Sequence, residues 1–179
     1  LDILAEDGFP GLKSKSVGVV VNHTSLDQNG THLIELLHNA GIRISAVFSP
    51  EHGFKGMADA GEKLMDGIEP LTSAPIYSLY GKTRKPTREM LNGLDVLIFD
   101  MQDIGVRYYT YISTLTVVME AGAEKDIPVI VLDRLNPLGR DIKGPVLDIE
   151  FASFVGMHPI PIRHGMTLGE LATMINGEG

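Results

Sequence analysis

An α/β fold with a mostly parallel, doubly wound sheet and helices on both faces is what this sequence predicts, and three observations carry the prediction. Short apolar runs at residues 17–21, 44–48, 76–79, 96–99 and 129–132 have the length and composition of buried strands. Segments of helical spacing and turn-rich connections alternate with them, as in strand-helix-strand units. Each run then stops abruptly in a polar cluster: Asn22-His23-Thr24, Ser49-Pro50-Glu51-His52-Gly53, Tyr80-Gly81-Lys82-Thr83-Arg84, Asp100-Met101-Gln102-Asp103 and Asp133-Arg134-Leu135-Asn136. In an open parallel sheet, ligands bind beyond the carboxyl ends of the strands, so these clusters are expected to converge on one crevice.

In chain order, residues 2–12 carry Ile3, Leu4 and Phe9 and predict a short helix that packs ahead of the first strand. Residues 31–40 place Leu33, Ile34, Leu36 and Leu37 on one helical face, with Gly41 as the stop, which makes a strand-helix-strand unit and hence parallel pairing. Residues 53–74 lack periodicity and contain Gly53, Gly56, Gly61, Gly67 and Pro70. They read as a long loop, and loops of that length in compact domains are usually functional or disordered. Since this one follows Glu51-His52 and carries Asp59-Ala60-Gly61-Glu62, the functional reading is preferred. A short helix is expected at 87–91 and a full one at 109–125, with Ile112, Leu115, Val118 and Met119 on its buried side. Beyond Pro137 the chain turns Gly- and Pro-rich, with short edge strands expected at 146–147 and 160–162. A last helix follows Leu168, Leu171, Ala172 and Ile175, and Thr167 with Glu170 fits a capping box at its start.

With 179 residues and 44% hydrophobic content, residues 1–179 are expected to form one Rossmann-like domain around one core. The start at Leu1 in place of Met predicts a removed upstream segment, and the stop just past a helical pattern predicts a further C-terminal domain. A net charge of -8 without a Lys/Arg run argues against a nucleic-acid partner, because phosphate neutralisation supplies most of that affinity. The absence of cysteine excludes disulfides, thiolate metal sites and a Cys nucleophile, and suits an oxidising compartment as well as a reducing one. No apolar stretch reaches the ~20 residues that span a bilayer. No cofactor is expected: neither G-x-G-x-x-G nor G-x-x-x-x-G-K-[ST] occurs, so the fold class here does not imply NAD or ATP.

The segment Ser49-Pro50-Glu51-His52-Gly53 holds a carboxylate and an imidazole at a strand exit fixed by proline and freed by glycine. A desolvated carboxylic acid at a sheet edge suits general-acid chemistry, as glycosidic cleavage requires; capping of the following loop is the structural alternative. The stretch from Asp100 to Tyr111 is the densest in polar and aromatic groups. Asp100 or Asp103 alone reads as a helix cap, whereas Arg107 with Tyr108, Tyr109 and Tyr111 suits a carboxylate-bearing sugar, through a guanidinium fork and stacking faces. An Asp103–Arg107 salt bridge is the competing structural reading. Asp133-Arg134 reads in part as a turn-fixing ion pair, and Arg163 and His164 are left over once the capping box is assigned.

Together with Asp59-Ala60-Gly61-Glu62, Tyr77-Ser78-Leu79-Tyr80-Gly81, Phe99-Asp100-Met101-Gln102-Asp103-Ile104-Gly105-Val106-Arg107, Tyr109-Thr110-Tyr111, Asn136-Pro137-Leu138-Gly139 and Arg163-His164-Gly165-Met166-Thr167, these motifs make a series. It resembles, over nearly the whole chain and in the same order, the NamZ-type exo-β-N-acetylmuramidases. The resemblance implies a Rossmann-like N-terminal domain followed by a smaller one, export to the periplasm or cell exterior, and removal of terminal N-acetylmuramic acid from the non-reducing end of peptidoglycan fragments. Two departures stand out: Leu135 where the family often has proline, and Lys143-Gly144-Pro145 where it often has Glu-Gly-Pro.

On this reading Glu51 is the general acid, Asp103 or Glu62 the second carboxylate, and His52 a neighbour in the catalytic group. Asn22, His23, Tyr109, Tyr111 and His164 position the sugar, Arg107, Arg134, Arg163 or Lys82 receives its lactyl carboxylate, and Asp100, Gln102 and Asp133 complete the polar lining. Carboxyl groups about 5–5.5 Å apart would retain the anomeric configuration and about 6.5–9.5 Å would invert it, while the substrate's acetamido group offers a third, assisted route. Two other readings compete: a metal-dependent hydrolase using His23, His52 and the Asp100/Asp103 pair, and a non-catalytic cell-wall sugar-binding domain.

Overall fold

The computed structural model describes residues 1–50, 67–81 and 83–178. It contains a helix α1 (Asp2–Glu6), strand β1 (Ser16–Val21), α2 (Leu33–Asn39), β2 (Arg43–Ser49), β3 (Gly67–Ile68), β4 (Pro75–Ser78), β5 (Val96–Asp100), α3 (Tyr111–Ala123), β6 (Val129–Val131), β7 (Lys143–Val146), β8 (Pro161–Arg163) and α4 (Leu168–Glu178). The main sheet runs β3-β4-β2-β1-β5-β6. Its five expected strands pair in parallel, and β3 adds an antiparallel edge.

From the central strand β1 the chain steps outward to β2 and β4 on one side and later to β5 and β6 on the other. Right-handed crossovers taken in opposite directions put their helices on opposite faces. One apolar layer accordingly joins Val17, Val19 and Val21 to Leu33, Ile34 and Leu37 of α2. The other joins Val20, Phe48 and Phe99 to Leu115 and Val118 of α3 and Leu171 of α4. With layers on both faces, β1 is buried along its entire length, which explains its unbroken apolar run. The reversal of direction falls between β1 and β5, whose register places Val21 opposite Asp100. The crevice of a doubly wound sheet lies at the carboxyl ends of that pair.

The caps follow the sequence closely. Gly41 takes φ +71°, and Ile42 N–H reaches the Leu37 carbonyl at 2.9 Å while Gly41 N–H reaches that of His38 at 2.9 Å, which closes α2 in a Schellman motif. The capping box at α4 forms in both directions, Thr167 N–H to Glu170 Oε2 at 2.9 Å and Glu170 N–H to Thr167 Oγ1 at 3.2 Å.

Four expectations need correction. The first helix ends at Glu6, because Gly8 at φ +69° and Phe9 at φ +55° turn the chain out of helical space. Residues 87–91 form turns rather than a helix, with one Leu91 N–H to Thr87 carbonyl bond before Gly93 at φ +74°. Strand β3 falls inside the segment read as loop. The late strands β7 and β8 leave the main sheet and pair with each other as a separate antiparallel ribbon.

Candidate active site

At the carboxyl end of β1, buried Asn22 organises the floor of the crevice. Its Nδ2 donates to the Tyr111 hydroxyl at 2.6 Å, and its Oδ1 accepts from the backbone and hydroxyl of Thr24 at 2.8 and 2.6 Å. Thr24 Oγ1 in turn accepts the Gln102 N–H at 2.9 Å, and Gln102 Nε2 donates to the carbonyls of Asp103 at 2.7 Å and Leu135 at 3.1 Å. Ser25 Oγ accepts from Asn22 N–H at 3.1 Å and donates to the Asp100 carbonyl. His32 caps α2 through Nδ1, which accepts the Ile34 N–H at 3.2 Å, so its Nε2 carries the hydrogen donated to the Asn22 carbonyl at 2.9 Å. The ends of β1, β5 and β6 are thus tied together by side chains reaching backbone. Tyr109 packs edge-on to Tyr111 with ring centres 4.6 Å apart.

Asp100 is fully buried and meets Arg134 through two oxygens, Nε to Oδ1 at 2.8 Å and Nη2 to Oδ2 at 3.1 Å. Arg134 also donates to the Leu26 carbonyl at 3.0 Å. Burial pushes the Asp100 carboxyl above its ordinary range, with the Arg134 hydrogen bonds and charge pulling the other way. The expected Asp133–Arg134 pair is therefore replaced by Asp100–Arg134. Asp133 serves α4, taking the Thr167 hydroxyl at 2.7 Å and the Gly169 N–H at 2.7 Å.

Arg107 does not reach Asp103. Its Nη1 donates to the carbonyls of Ile160 at 2.6 Å and Pro145 at 2.9 Å, which fastens the β7–β8 ribbon to the loop after β5. The backbone there is stitched as well, by an isolated Val106–Arg163 bridge and by Arg107 N–H to the Ile162 carbonyl at 2.8 Å. Neither Asp100 nor Asp103 caps α3, whose N-cap position is Thr110. Asp103 is buried and instead closes a tight turn, Oδ2 accepting the Gly105 N–H at 2.6 Å. Across from it, buried His164 lies with Nε2 at 3.6 Å from Asp103 Oδ2. Arg163 donates to the Leu138 carbonyl, while its Nε is buried without a partner. His23 is exposed.

Some of the residues singled out in the sequence lie together. Asn22, Gln102, Asp100, Arg134 and Tyr111 meet at the switch point, and Asp103 joins His164 on the ribbon side. Glu51, His52, Glu62 and Lys82 lie outside the described residues. Thr24 and Asn136 stood in the quoted motifs without a role, and Ser25 and His32 were not singled out; the available signals were the polar run after β1 for Thr24 and Ser25, the position ahead of the apolar helical pattern for His32, and the following proline for Asn136. Asn136 Nδ2 donates to the Met166 carbonyl at 2.9 Å and its Oδ1 accepts the Leu138 N–H at 2.9 Å. Among the described residues, no group of three His, Cys, Asp or Glu side chains is gathered as a metal site, and no helix is long and apolar enough to cross a membrane.

Residues 17–179 match the family model described as the exo-beta-N-acetylmuramidase NamZ, N-terminal. The chain is 48% identical over 180 aligned residues to the peptidoglycan beta-N-acetylmuramidase NamZ of Bacillus subtilis (strain 168), covering 99% of this chain and 44% of that protein. Crystal structures of two DUF1343 family proteins from Bacteroides fragilis NCTC 9343 superpose on it. One gives a TM-score of 0.90 at 46% identity over 99% of this chain and 45% of its own; the other gives 0.83 at 43% over 97% and 45%. The chain spans less than half the length of these relatives.

Proposed function

From the premise that the chain belongs to the NamZ N-terminal family, we propose that it is the catalytic part of an exo-β-N-acetylmuramidase. The enzyme would hydrolyse the β-glycosidic bond of a terminal N-acetylmuramic acid at the non-reducing end of peptidoglycan fragments, outside the cytoplasm, in the periplasm or beyond the cell. The observation that carries this reading is the 48% identity, across 99% of the chain, to a peptidoglycan beta-N-acetylmuramidase. The carboxyl ends of β1 and β5 support it, since hydrogen-bonded polar side chains from separate strand ends converge there.

In this reading Glu51, two residues past the end of β2 in sequence, donates the proton to the departing sugar oxygen, and Asp103 or Glu62 supplies the second carboxylate. Four cations are candidates for the lactyl carboxylate of muramic acid. Arg134 is engaged by Asp100 and Arg107 by two backbone carbonyls; Arg163 also gives one bond to a carbonyl, that of Leu138, yet keeps a buried Nε without a partner, which favours it over those two, and Lys82 stays a candidate from the sequence alone.

The test uses the longest natural polypeptide that carries this sequence and its Glu51→Gln variant, incubated with the MurNAc-β-1,4-GlcNAc disaccharide, with free N-acetylmuramic acid read by mass spectrometry. Release by the parent and a loss of at least roughly a hundredfold in the variant is the expected result. No release by the parent refutes the activity. Equal release by both refutes the role of Glu51.

A further inference from the structure

The Asp103–His164 pair combines features that a structural ion pair does not need. Both side chains are almost completely buried, at 8% and 0% exposure, yet their closest approach is 3.6 Å, beyond hydrogen-bond range. Asp103 Oδ1 and His164 Nε2 are each buried without a hydrogen-bond partner, a condition that costs stability and calls for an explanation. The other atoms of the pair are committed. Asp103 Oδ2 accepts from Gly105 N–H at 2.6 Å, and His164 Nδ1 accepts from Met166 N–H at 3.3 Å. An imidazole whose Nδ1 is an acceptor carries its hydrogen on Nε2 when neutral. The Nε2–H therefore faces a carboxylate that still has one oxygen unassigned.

The surroundings hold this arrangement from both ends. Asn136 lies against Gly105 and also binds the Met166 carbonyl, so one side chain braces the turn that aims Asp103 and the turn that aims His164.

We infer that His164 is a positioning residue that acts through Asp103: its Nε2–H steadies the carboxylate on one oxygen and leaves Oδ1 to the substrate as the second carboxylate. This rests on the muramidase reading. The gap of 3.6 Å closes to a hydrogen bond with a side-chain movement of well under 1 Å, and the same movement uncovers Oδ1, which is buried in this structure.

Two substitutions separate positioning from mere turn-holding. His164→Gln places an amide N–H near the Nε2 position and forfeits the Nδ1 acceptor; His164→Asn keeps an acceptor near Nδ1 and forfeits the Nε2 donor. Both are measured in the longest natural polypeptide with the disaccharide, alongside thermal melting. Positioning predicts kcat within about threefold of the parent for His164→Gln. For His164→Asn it predicts a fall of roughly tenfold or more, with KM within about twofold and the acidic limb of the kcat profile moved to higher pH. The reverse ranking, or an unmoved acidic limb, overturns the inference and leaves the muramidase activity standing. No release by the parent removes both. Independently of activity, ¹⁵N resonances of His164 are expected to report a protonated Nε2 and a bare Nδ1; the opposite tautomer also overturns it.

Discussion

Gly105 is the position where a single methyl group should do the most damage to the site. It sits at φ +83°, and a Cβ built there would lie 2.2 Å from Asn136 Oδ1 and 2.8 Å from its Cγ. In Gly105→Ala the left-handed backbone alone costs about 1–2 kcal/mol. The methyl also expels Asn136, which loses its bonds to Met166 and Leu138 at about 1 kcal/mol each. The sum is about 3–4 kcal/mol, or a melting temperature lower by roughly 6–16 °C for a domain of this size. Gly139 provides the control, with φ +69° and nothing within 4 Å of a built Cβ, so Gly139→Ala should cost only the backbone share of about 1–2 kcal/mol. The decisive assay is a double-mutant cycle with Asn136→Ala, by urea denaturation at constant m-value. Once the Asn side chain is gone, adding the methyl should cost about 1–2 kcal/mol, giving a coupling near 2 kcal/mol. Additive effects within about 0.5 kcal/mol would refute the idea that Asn136 transmits the damage.

Tyr111→Phe should destabilise the protein by about 1–3 kcal/mol, since it strips the acceptor from buried Asn22 Nδ2. Tyr108→Phe, at a ring 58% exposed, should stay within about 0.5 kcal/mol, and comparable losses from both in thermal melts would contradict the buried network. For Asp100 the sign follows from its raised carboxyl. A folded state that holds the proton more tightly than the unfolded chain is favoured most below the unfolded value of ~3.9, and that contribution is lost as pH rises through the folded value. Asp100→Asn removes this group, so the difference in unfolding free energy between parent and variant should shift against the parent across that window. A difference that is flat, or of the opposite slope, in denaturant titrations at stepped pH would count against it.

The strands were legible because burial on both faces writes an unbroken apolar run, a signal local to each segment. Strand β3 was not, since Gly67–Ile68 is extended only by virtue of pairing with β4, a tertiary event. Partner choice among charges was the weakest point, and geometry shows why. Asp133 and Arg134 follow β6 after Leu132, in chain whose neighbouring side chains turn to opposite sides; one turned to α4 and the other to Asp100, 34 residues away in sequence. Asp103 and Arg107 are spaced to meet on a helix, but Gly105 in the left-handed region breaks that register. The polar residues at the strand ends were legible as a candidate site; which atom each would hold depended on chain segments that no window of sequence brings together.

The lattice of bonds beneath the crevice has a thermodynamic and a mutational consequence. Asn22, Thr24, Gln102, Asp100 and Arg134 are held by one another's hydrogen bonds, and side chains already fixed in this way spend less of any ligand's contact energy on ordering protein. The network itself tolerates little change, because each of its members serves two neighbours at once.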